Sequence, residues 1–462
     1  MAKQLFIKTF GCQMNEHDTE KIAGVLSDLG YFLTDSPDGA DMIILNTCSV
    51  REKAEYKCYS DLGRLLELKK KNPDLLIGVG GCVAQQEGER IVQKAPYVDM
   101  VFGTDNISDI PRLLEKKKGQ RKGAVSTERR RKSSVSQGGT DLKSIPSLKT
   151  EKVSSLPMVR NHPVKAYVNI VDGCDKFCTY CIVPHTRGRE KSRQPEDICR
   201  EIRGLASAGY KEVTLLGQNV DSYGKDTEGH TDLADLLHRI NDISGIMSIR
   251  FVTSHPADFS DRLINAMKRL PKVCEHLHLP LQSGSDTILE RMKRNYTYPE
   301  YRDKIRRLRE AIPDVAVTTD IITGFPGETA EDFDKTLWAI EEIQYDGIFA
   351  FKYSRRPYTA ARLYGGQVPR EVSEERLSQV LEIQDRITRE KNQACIGREF
   401  DILIEGESKK DKRNLTGRTR GNKIVHIPME EGISIGDFLR VRITSATLAS
   451  LKGEVVRQGR GL

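Results

Sequence analysis

The sequence predicts an α/β chain in three structured parts: an N-terminal parallel-sheet α/β domain, a central partial (β/α)6 barrel and a small C-terminal β-barrel. Three observations predict it. Apolar runs alternate with amphipathic helical stretches as far as Gln393, the pattern of parallel strands buried on both faces. That alternation breaks once, between 115 and 158, where Lys, Arg, Ser, Gly and Thr dominate and large apolar residues are few. Beyond Gln393 the hydrophobic period changes to two, with Gly-bearing turns between the runs. At 462 residues the chain exceeds one ordinary core, since domains run to roughly 100–200 residues.

The first domain, residues 3–114, opens with KQLFIKTF and a helix from Glu16. It continues with DMIILN and a helix from Glu52, then LLIGVG and a helix over Glu87 to Gln93. Residues 115–158 follow as a basic flexible linker, too poor in apolar side chains to offset their chain entropy. Within it, Glu115 to Lys132 holds nine Lys/Arg against two acids, as much as the whole net charge of +7. A second basic cluster runs from Lys409 to Lys423. Both are electrostatic candidates for a phosphate backbone, and the ordinary alternative is a solvated charge run.

The central domain, residues 160–393, has strands expected at 165–171, 211–216, 247–253, 276–280, 315–323 and 347–353, alternating with helical patterns such as PEDICREIRGLASAG. Six such units make an open or partial barrel, whose active site gathers at the C-terminal ends of the strands. A long helix from Val372 to Gln393 closes it. In residues 395–458, FDILIEG, NKIVHIP and DFLRVRITSAT alternate apolar and polar, which predicts the last, all-β module.

No apolar run approaches the roughly 20 residues of a membrane span, and MAKQLFIKTFGCQMN turns polar too early for a signal peptide. The chain is expected in the cytoplasm, without a membrane partner. Its ten cysteines are too sparse for a secreted disulfide scaffold; in a reducing compartment, clustered thiols bind metal or do chemistry.

The strongest single motif is GCDKFCTYC, with Cys174, Cys178 and Cys181 just after the first barrel strand. Three thiolates at this spacing can each take one corner of a [4Fe–4S] cubane and leave the fourth iron without a protein ligand. A structural zinc site is the alternative, but it would want a fourth ligand, and His185 is the one nearby candidate. Cys12, Cys48 and Cys82 stand 36 and 34 residues apart and each ends an expected strand: FIKTFGC, IILNTC and IGVGGC. Parallel strands bring such ends to one sheet edge, so the three either converge on a second cluster or are buried small hydrophobes. Gly11, Gly80 and Gly81 suit a close approach of backbone to a bulky group. Cys58, Cys199, Cys274 and Cys395 have no partner spacing and read as structural.

Taken together, KTFGCQMNEHDTE, LNTCSVREKAE, GVGGC, VDGCDKFCTYCIVPHTRGRE, LPLQSGSD, KRNYT and TDIITGFPGET resemble the methylthiotransferases of the radical SAM superfamily. The resemblance covers nearly the whole chain in order, and GRTRGNKIV looks like their TRAM domain. The forms GCQMN and NTCSVREKAE are most like the branch acting on isopentenylated adenosine in tRNA. Branches acting on a ribosomal-protein aspartate or on threonylcarbamoyl-adenosine tend to read GCPKN or GCKVN. The basic linker is longer than expected of the family.

The resemblance implies a tRNA methylthiotransferase that converts N(6)-(dimethylallyl)adenosine beside the anticodon to 2-methylthio-N(6)-(dimethylallyl)adenosine. It implies two [4Fe–4S] clusters: a radical cluster on Cys174, Cys178 and Cys181 that chelates S-adenosyl-L-methionine, and an auxiliary one on Cys12, Cys48 and Cys82. Two S-adenosylmethionines serve each turnover, one as methyl donor to a sulfur of the auxiliary cluster and one as the radical source. Residue by residue it points to Tyr180, Gly217, Gln218, Ser254, Gln282, Ser283 and Asp320 as cofactor contacts. A plain βα turn is the alternative for Gly217 and Gln218, and a core-facing, paired carboxylate for Asp320. GFPGE (Gly324 to Glu328) is expected to press the adenine or to be a simple turn. Arg418, Arg420 and Lys423 are expected to track RNA phosphates or to flank a solvated turn. The implied partners are a tRNA anticodon stem-loop carrying isopentenylated adenosine and an electron donor such as flavodoxin or ferredoxin, with the chain acting as a monomer. Rival readings are the same chemistry on threonylcarbamoyl-adenosine or a ribosomal protein side chain, and a non-enzymatic iron–sulfur RNA-binding sensor.

Overall fold

The computed structural model describes residues 2–49, 52–118, 123–128, 156–227, 229 and 231–457. The chain divides into two compact units, the first holding residues 1–161 and 182–189, the second 162–181 and 190–462.

The first unit is built on six parallel strands, β1 (Lys3–Thr9), β2 (Tyr31–Leu33), β3 (Met42–Thr47), β4 (Leu76–Gly81), β5 (Met100–Phe102) and β6 (Ala124–Ser126). Their spatial order is β2-β1-β3-β4-β5-β6. The central strand β3 is buried at every position, which is why MIILNT reads as a continuous run and not as an alternation. Its side chains nevertheless sort by parity. Met42 and Ile44 join one core with Ile22, Leu26, Ile110 and Leu113, from α1 (Gln13–Ser27) and α5 (Ile110–Lys118). Ile43 and Leu45 join the other, with Leu62, Leu65 and Ile91 from α2 (Glu52–Lys71) and α4 (Glu89–Lys94). Each such aliphatic side chain contributes about 1.5–3 kcal/mol by its burial. The helix expected over Glu87 to Gln93 is in fact two, α3 (Cys82–Glu87) and α4, divided at Gly88 with φ of +52°. The short α6 (Val183–Thr186) also belongs to this unit.

The linker expectation needs correction. Glu115 to Lys118 continue α5, and Ala124–Ser126 pairs with β5 as an edge strand, Met100 opposite Ala124. Leu156 is buried in the same core as α1, and the Val159 amide donates to the Glu20 carbonyl. The rest of the basic run, 119–122 and 129–155, lies outside the described residues.

In the second unit, β7 (Lys165–Asn169), β10 (Glu212–Leu216) and β11 (Ser248–Phe251) form one parallel sheet in the order β11-β10-β7. β12 (His276–His278), β13 (Ala316–Thr323) and β14 (Gly347–Lys352) form another. A parallel pair of Ile249 with Val273 joins them, so the six strands run in sequence order as a partial barrel. A two-residue pair, β8 (Val171–Asp172) with β9 (Lys191–Ser192), follows the first strand. Around the barrel lie α7 (Pro195–Ser207), α8 (Leu233–Asn241), α9 (Asp261–Arg269), α10 (Asp286–Arg291), α11 (Tyr298–Ala311) and α12 (Ala330–Ile343). α13 (Arg370–Gln393) sets Val380 and Ile387 into the same core. Asp232, Thr297 and Thr329 cap α8, α11 and α12 with reciprocal side-chain bonds, which fixes where each helix starts.

The last five strands are β15 (Glu399–Glu407), β16 (Asn414–Thr419), β17 (Ile424–Pro428), β18 (Phe438–Ala446) and β19 (Leu451–Val455). They close in the order β15-β16-β17-β19-β18 around Ile402, Ile404, Val425, Ile427, Val441 and Ile443, alternate residues of β15, β17 and β18. Among the described residues no helix is long and apolar enough to cross a membrane.

Candidate functional site

Two groups of thiols stand out, one in each unit. In the second unit the chain leaves β8, turns at Gly173 with φ of +75°, and presents Cys174, Cys178 and Cys181 on one loop. Cys174 and Cys178 are buried and Cys181 is half-buried. Burial pushes the Cys174 thiol up to about 11, so the protein alone favours its protonated form and a metal would have to displace the proton. The loop is pinned by Gln218, whose Oε1 accepts from the Gly173 amide, and by Lys176, which pairs with Asp258 at 2.9 Å.

The residues expected as cofactor contacts divide in two. Some carry unspent polarity: Gln218 Nε2 and Gln282 Oε1 are buried without a hydrogen-bond partner, and Gln282 sits at φ of +73°. Asn169 Oδ1 and His255 Nε2 share that condition, which puts one such atom just beyond or at the end of each of β7, β10, β11 and β12. Buried polar groups left unmatched cost about 1–3 kcal/mol each, and four at the C-terminal end of one barrel fit a polar ligand that would satisfy them. Others are engaged by the fold. Ser283 bonds Thr336 at 3.3 Å and the Ser285 amide at 3.2 Å; Asp320 faces His278 at 3.5 Å. The Ser254 hydroxyl donates to Asp221 at 2.9 Å, where burial has pushed the carboxyl up to about 7. Gly217 lets the turn approach Val171, whose Cγ1 would lie 2.3 Å from an added Cβ. Tyr180 packs edge-on against Phe325, ring centroids 6.4 Å apart. Phe325 of the GFPGE turn is itself fully buried, and Glu328 fastens that turn to Arg376 at 2.6 Å.

In the first unit, β1, β3 and β4 are neighbours with Thr9 opposite Asn46 and Thr47 opposite Gly81. Cys48 and Cys82 directly follow the last two of these, and Cys12 begins the turn into α1. The strand order reverses between β1 and β3, the position where open parallel sheets bind ligands. Gly11 lies so close to Cys48 that a Cβ there would meet its Sγ at 2.6 Å, and the Cys12 and Cys48 side chains are within hydrogen-bond contact. That contact holds the Cys12 thiol down to about 6, and Arg187 adds to the effect against burial. Burial pushes Cys82 up, opposed by Arg187.

Beneath the thiols is a polar lattice that sequence reasoning missed. Asn15 donates to the Thr47 carbonyl at 2.8 Å, Asn46 to the Asn15 carbonyl at 2.7 Å and to Thr19 at 2.9 Å, and Thr47 to the Gly80 carbonyl at 2.6 Å. Arg187, buried, pairs with Asp18 at 2.6 Å. One signal was available: MIILNT ends an apolar strand on two polar residues, Asn46 and Thr47.

The basic turn of the last module is already committed. Arg420 forms a forked pair with Glu275 at 2.6 and 2.7 Å, Lys423 reaches Asn392 at 2.9 Å and Asp346 at 3.4 Å, and Arg418 holds the Asn422 carbonyl at 3.1 Å. Lys409, Lys410 and Lys412, by contrast, are exposed and in no ion pair among the described residues. Cys58, Cys199 and Cys395 are buried in apolar cores, and Cys274 is buried as well. Among the described residues no three His, Cys, Asp or Glu side chains are close enough to share a single metal ion. A cubane spreads its cysteines over separate iron corners, a wider arrangement than one ion's shell.

Three family models match this architecture part by part: an uncharacterized protein family, UPF0004, over residues 4–103, the Radical SAM superfamily over 168–338, and the TRAM domain over 393–456. The fold is also that of the radical S-adenosylmethionine methyltransferase TsrM from Kitasatospora setae, solved with cobalamin and a [4Fe–4S] cluster. The TM-score is 0.52 at 13% identity, over 79% of this chain and 77% of that one. The chain is therefore a radical SAM protein, of a superfamily that works with S-adenosylmethionine and a [4Fe–4S] cluster. Full-length relatives narrow the class. A tRNA-2-methylthio-N(6)-dimethylallyladenosine synthase of Thermoanaerobacter sp. (strain X514) is 47% identical over 97% of this chain and 92% of its own length. That of Thermodesulfovibrio yellowstonii is 47% identical over 98% and 99%, and one of Clostridium botulinum (strain Langeland) 45% over 98% and 97%. The chain belongs to the family of tRNA-2-methylthio-N(6)-dimethylallyladenosine synthases.

Proposed function

We propose that this enzyme converts N(6)-(dimethylallyl)adenosine beside the tRNA anticodon to its 2-methylthio derivative, using two [4Fe–4S] clusters and two S-adenosylmethionines per turnover. The observation that carries the two-cluster reading is the convergence of Cys12, Cys48 and Cys82 at the reversal point of the first sheet, in addition to the separate thiol loop of the second unit. Cys174, Cys178 and Cys181 would hold the radical cluster, and Cys12, Cys48 and Cys82 the auxiliary one. When bound, these groups supply the radical and sulfur chemistry that an unactivated aromatic C–H demands.

The protein's own residues position and enclose. Gln218 ties the thiol loop to the end of β10, and the open polar valences of Asn169, Gln218, His255 and Gln282 would hold the amino, carboxylate and ribose groups of S-adenosylmethionine. Tyr180 and Phe325 seal the loop on its apolar side, which keeps water and stray hydrogen donors away. Asn15, Asn46 and Thr47 stiffen the sheet edge under the second trio, so that the sulfurs are presented without reorganisation. Lys409, Lys410 and Lys412 offer the RNA-facing charge of the last module. Domain limits of 160–393 and 395–458 for the two later parts, a flavodoxin or ferredoxin as electron donor, a monomeric state and a cytoplasmic location complete the reading.

Nucleoside analysis of tRNA from a strain lacking this chain tests it. The 2-methylthio nucleoside should vanish and N(6)-(dimethylallyl)adenosine accumulate; loss of a methylthiolated threonylcarbamoyl-adenosine instead would move the enzyme to another substrate. Absence of 5′-deoxyadenosine from the fully reconstituted protein would favour the sensor.

A further inference from the structure

Arg294, in the KRNYT segment between α10 and α11, is a buried cation with no acid beside it. It is 4% exposed, yet among the described residues no carboxylate lies within ion-pair distance of it. Its donors go to neutral oxygens and to one sulfur: Nε to the Tyr296 hydroxyl at 3.0 Å, Nη2 to the Pro280 carbonyl at 3.0 Å, Nη1 to the Tyr180 hydroxyl and to Cys178 Sγ, both at 3.4 Å. Three other buried arginines each have an acid: Arg187 has Asp18, Arg250 has Glu212 at 2.8 Å, Arg376 has Glu328. A charge taken out of water without a partner is the costliest group a core can hold.

The backbone is bent to put it there. Lys293 and Asn295, on either side, sit at φ of +58° and +55°, a left-handed conformation that costs non-glycine residues about 1–3 kcal/mol each. The segment is strapped to the thiol loop as well: the Thr179 amide donates to the Met292 carbonyl at 3.1 Å, and the Thr179 hydroxyl to the Arg291 carbonyl at 2.9 Å. Met292, fully buried, anchors the same turn. Strain of this kind persists where surrounding structure over-determines it, and here the straps lead to the residue next to Cys178. Neighbouring His255 is held neutral by burial and adds no second positive charge.

We infer that Arg294 is the built-in counter-cation of the radical cluster: it donates a hydrogen bond to the Cys178 sulfur and sets an uncompensated positive charge against the cluster, which eases its one-electron reduction. The inference rests on the reading of Cys178 as a cluster ligand. The electron comes from a low-potential one-electron donor, and the guanidinium neither gains nor loses a proton. Positive charge and hydrogen bonds to cluster sulfurs raise reduction potentials, so removing both lowers them. Arg294 is thus a positioning and tuning residue whose effect is read in a potential.

The test is an EPR-monitored redox titration of the full chain carrying Cys12→Ala, Cys48→Ala and Cys82→Ala, so that one cluster is read, in the arginine form and as Arg294→Met and Arg294→Lys. At a fixed ambient potential near the midpoint, Arg294→Met should hold about tenfold less reduced relative to oxidised cluster, ~59 mV for a one-electron couple, at unchanged iron content. Arg294→Lys, which keeps the charge, should recover most of that loss. An unmoved midpoint in Arg294→Met, or equal shifts in both variants, overturns the inference. Should Arg294→Met fail to bind iron, Arg294→Lys decides alone: a midpoint near the parent's supports the inference and a tenfold loss overturns it. If the parent itself shows no cluster signal perturbed by S-adenosylmethionine, the assignment of Cys178 has failed, an outcome distinct from a loaded cluster that ignores Arg294.

Discussion

Replacing Gly11 by Ala should empty the auxiliary site while leaving the barrel's thiol loop intact. Gly11 has φ of +109°, and a Cβ placed there would stand 2.3 Å from Cys48 Cβ and 2.6 Å from its Sγ. Ordinary carbon contacts begin near ~3.5 Å, so Cys48 would have to retreat by about 1 Å, beyond the ~0.5 Å tolerance of a preorganised site. Gly30 is the control, because it has φ of +81° with nothing within 4 Å of an added Cβ. Both variants carry backbone strain of about 1–3 kcal/mol. Overpacking adds about 1–3 kcal/mol to Gly11→Ala alone. After anaerobic reconstitution, iron should fall from about eight per chain to about four in Gly11→Ala and stay at about eight in Gly30→Ala, at four irons per cubane. Full loading of Gly11→Ala, or equal loss in both variants, would refute the close-approach reasoning.

Charge reversal of Lys409, Lys410 and Lys412 to Glu should weaken tRNA binding and flatten its salt dependence by about 0.7–0.9 log units for each phosphate no longer neutralised, measured by titration at several ionic strengths; an unchanged slope would remove these residues from the interface. Arg420→Ala should lower stability by about 1–3 kcal/mol in urea unfolding, by leaving Glu275 without its forked partner, and spare tRNA affinity. Lost affinity in a variant of unchanged stability would return Arg420 to the RNA. Asp221 is raised by burial from 3.8 to about 7, so its protonated form is the one the fold favours. The stability it contributes is complete below about pH 4 and is lost as pH rises through about 7. Asp221→Asn should therefore compare more favourably with the parent at pH 8 than at pH 5 in denaturant titrations, and a pH-independent difference would contradict the raised value.

The barrel was legible because its strands are short apolar runs at regular intervals: the expected 315–323 became Ala316–Thr323 and the expected 347–353 became Gly347–Lys352. The placement of Cys12, Cys48 and Cys82 at one sheet edge was legible because each follows such a run, and that of Cys174, Cys178 and Cys181 on one loop because they sit in one tight motif. What escaped was whatever depends on a distant partner. Arg187 carries no pattern of its own, and its meaning appears once Asp18, 169 residues away, closes on it. Arg294 looked like one more basic residue until its surroundings proved to hold no acid. The ion pairs of Arg420 and Lys423 were hidden in the same way: their acids, Glu275 and Asp346, lie on the barrel and cannot be seen from the turn. The three-residue strand Ala124–Ser126 was hidden inside a basic run because pairing with β5, and not its own composition, makes it a strand.

The division of labour between the two thiol trios is tested most directly by replacing Cys12, Cys48 and Cys82 with Ala. The variant is assayed anaerobically with a low-potential reductant, S-adenosylmethionine and isopentenylated tRNA, both products being read by mass spectrometry. 5′-Deoxyadenosine should still form, since Cys174, Cys178 and Cys181 are untouched, and no 2-methylthio nucleoside should appear. Methylthiolated tRNA at the parent's yield from this variant would contradict the assignment of the first trio to sulfur transfer.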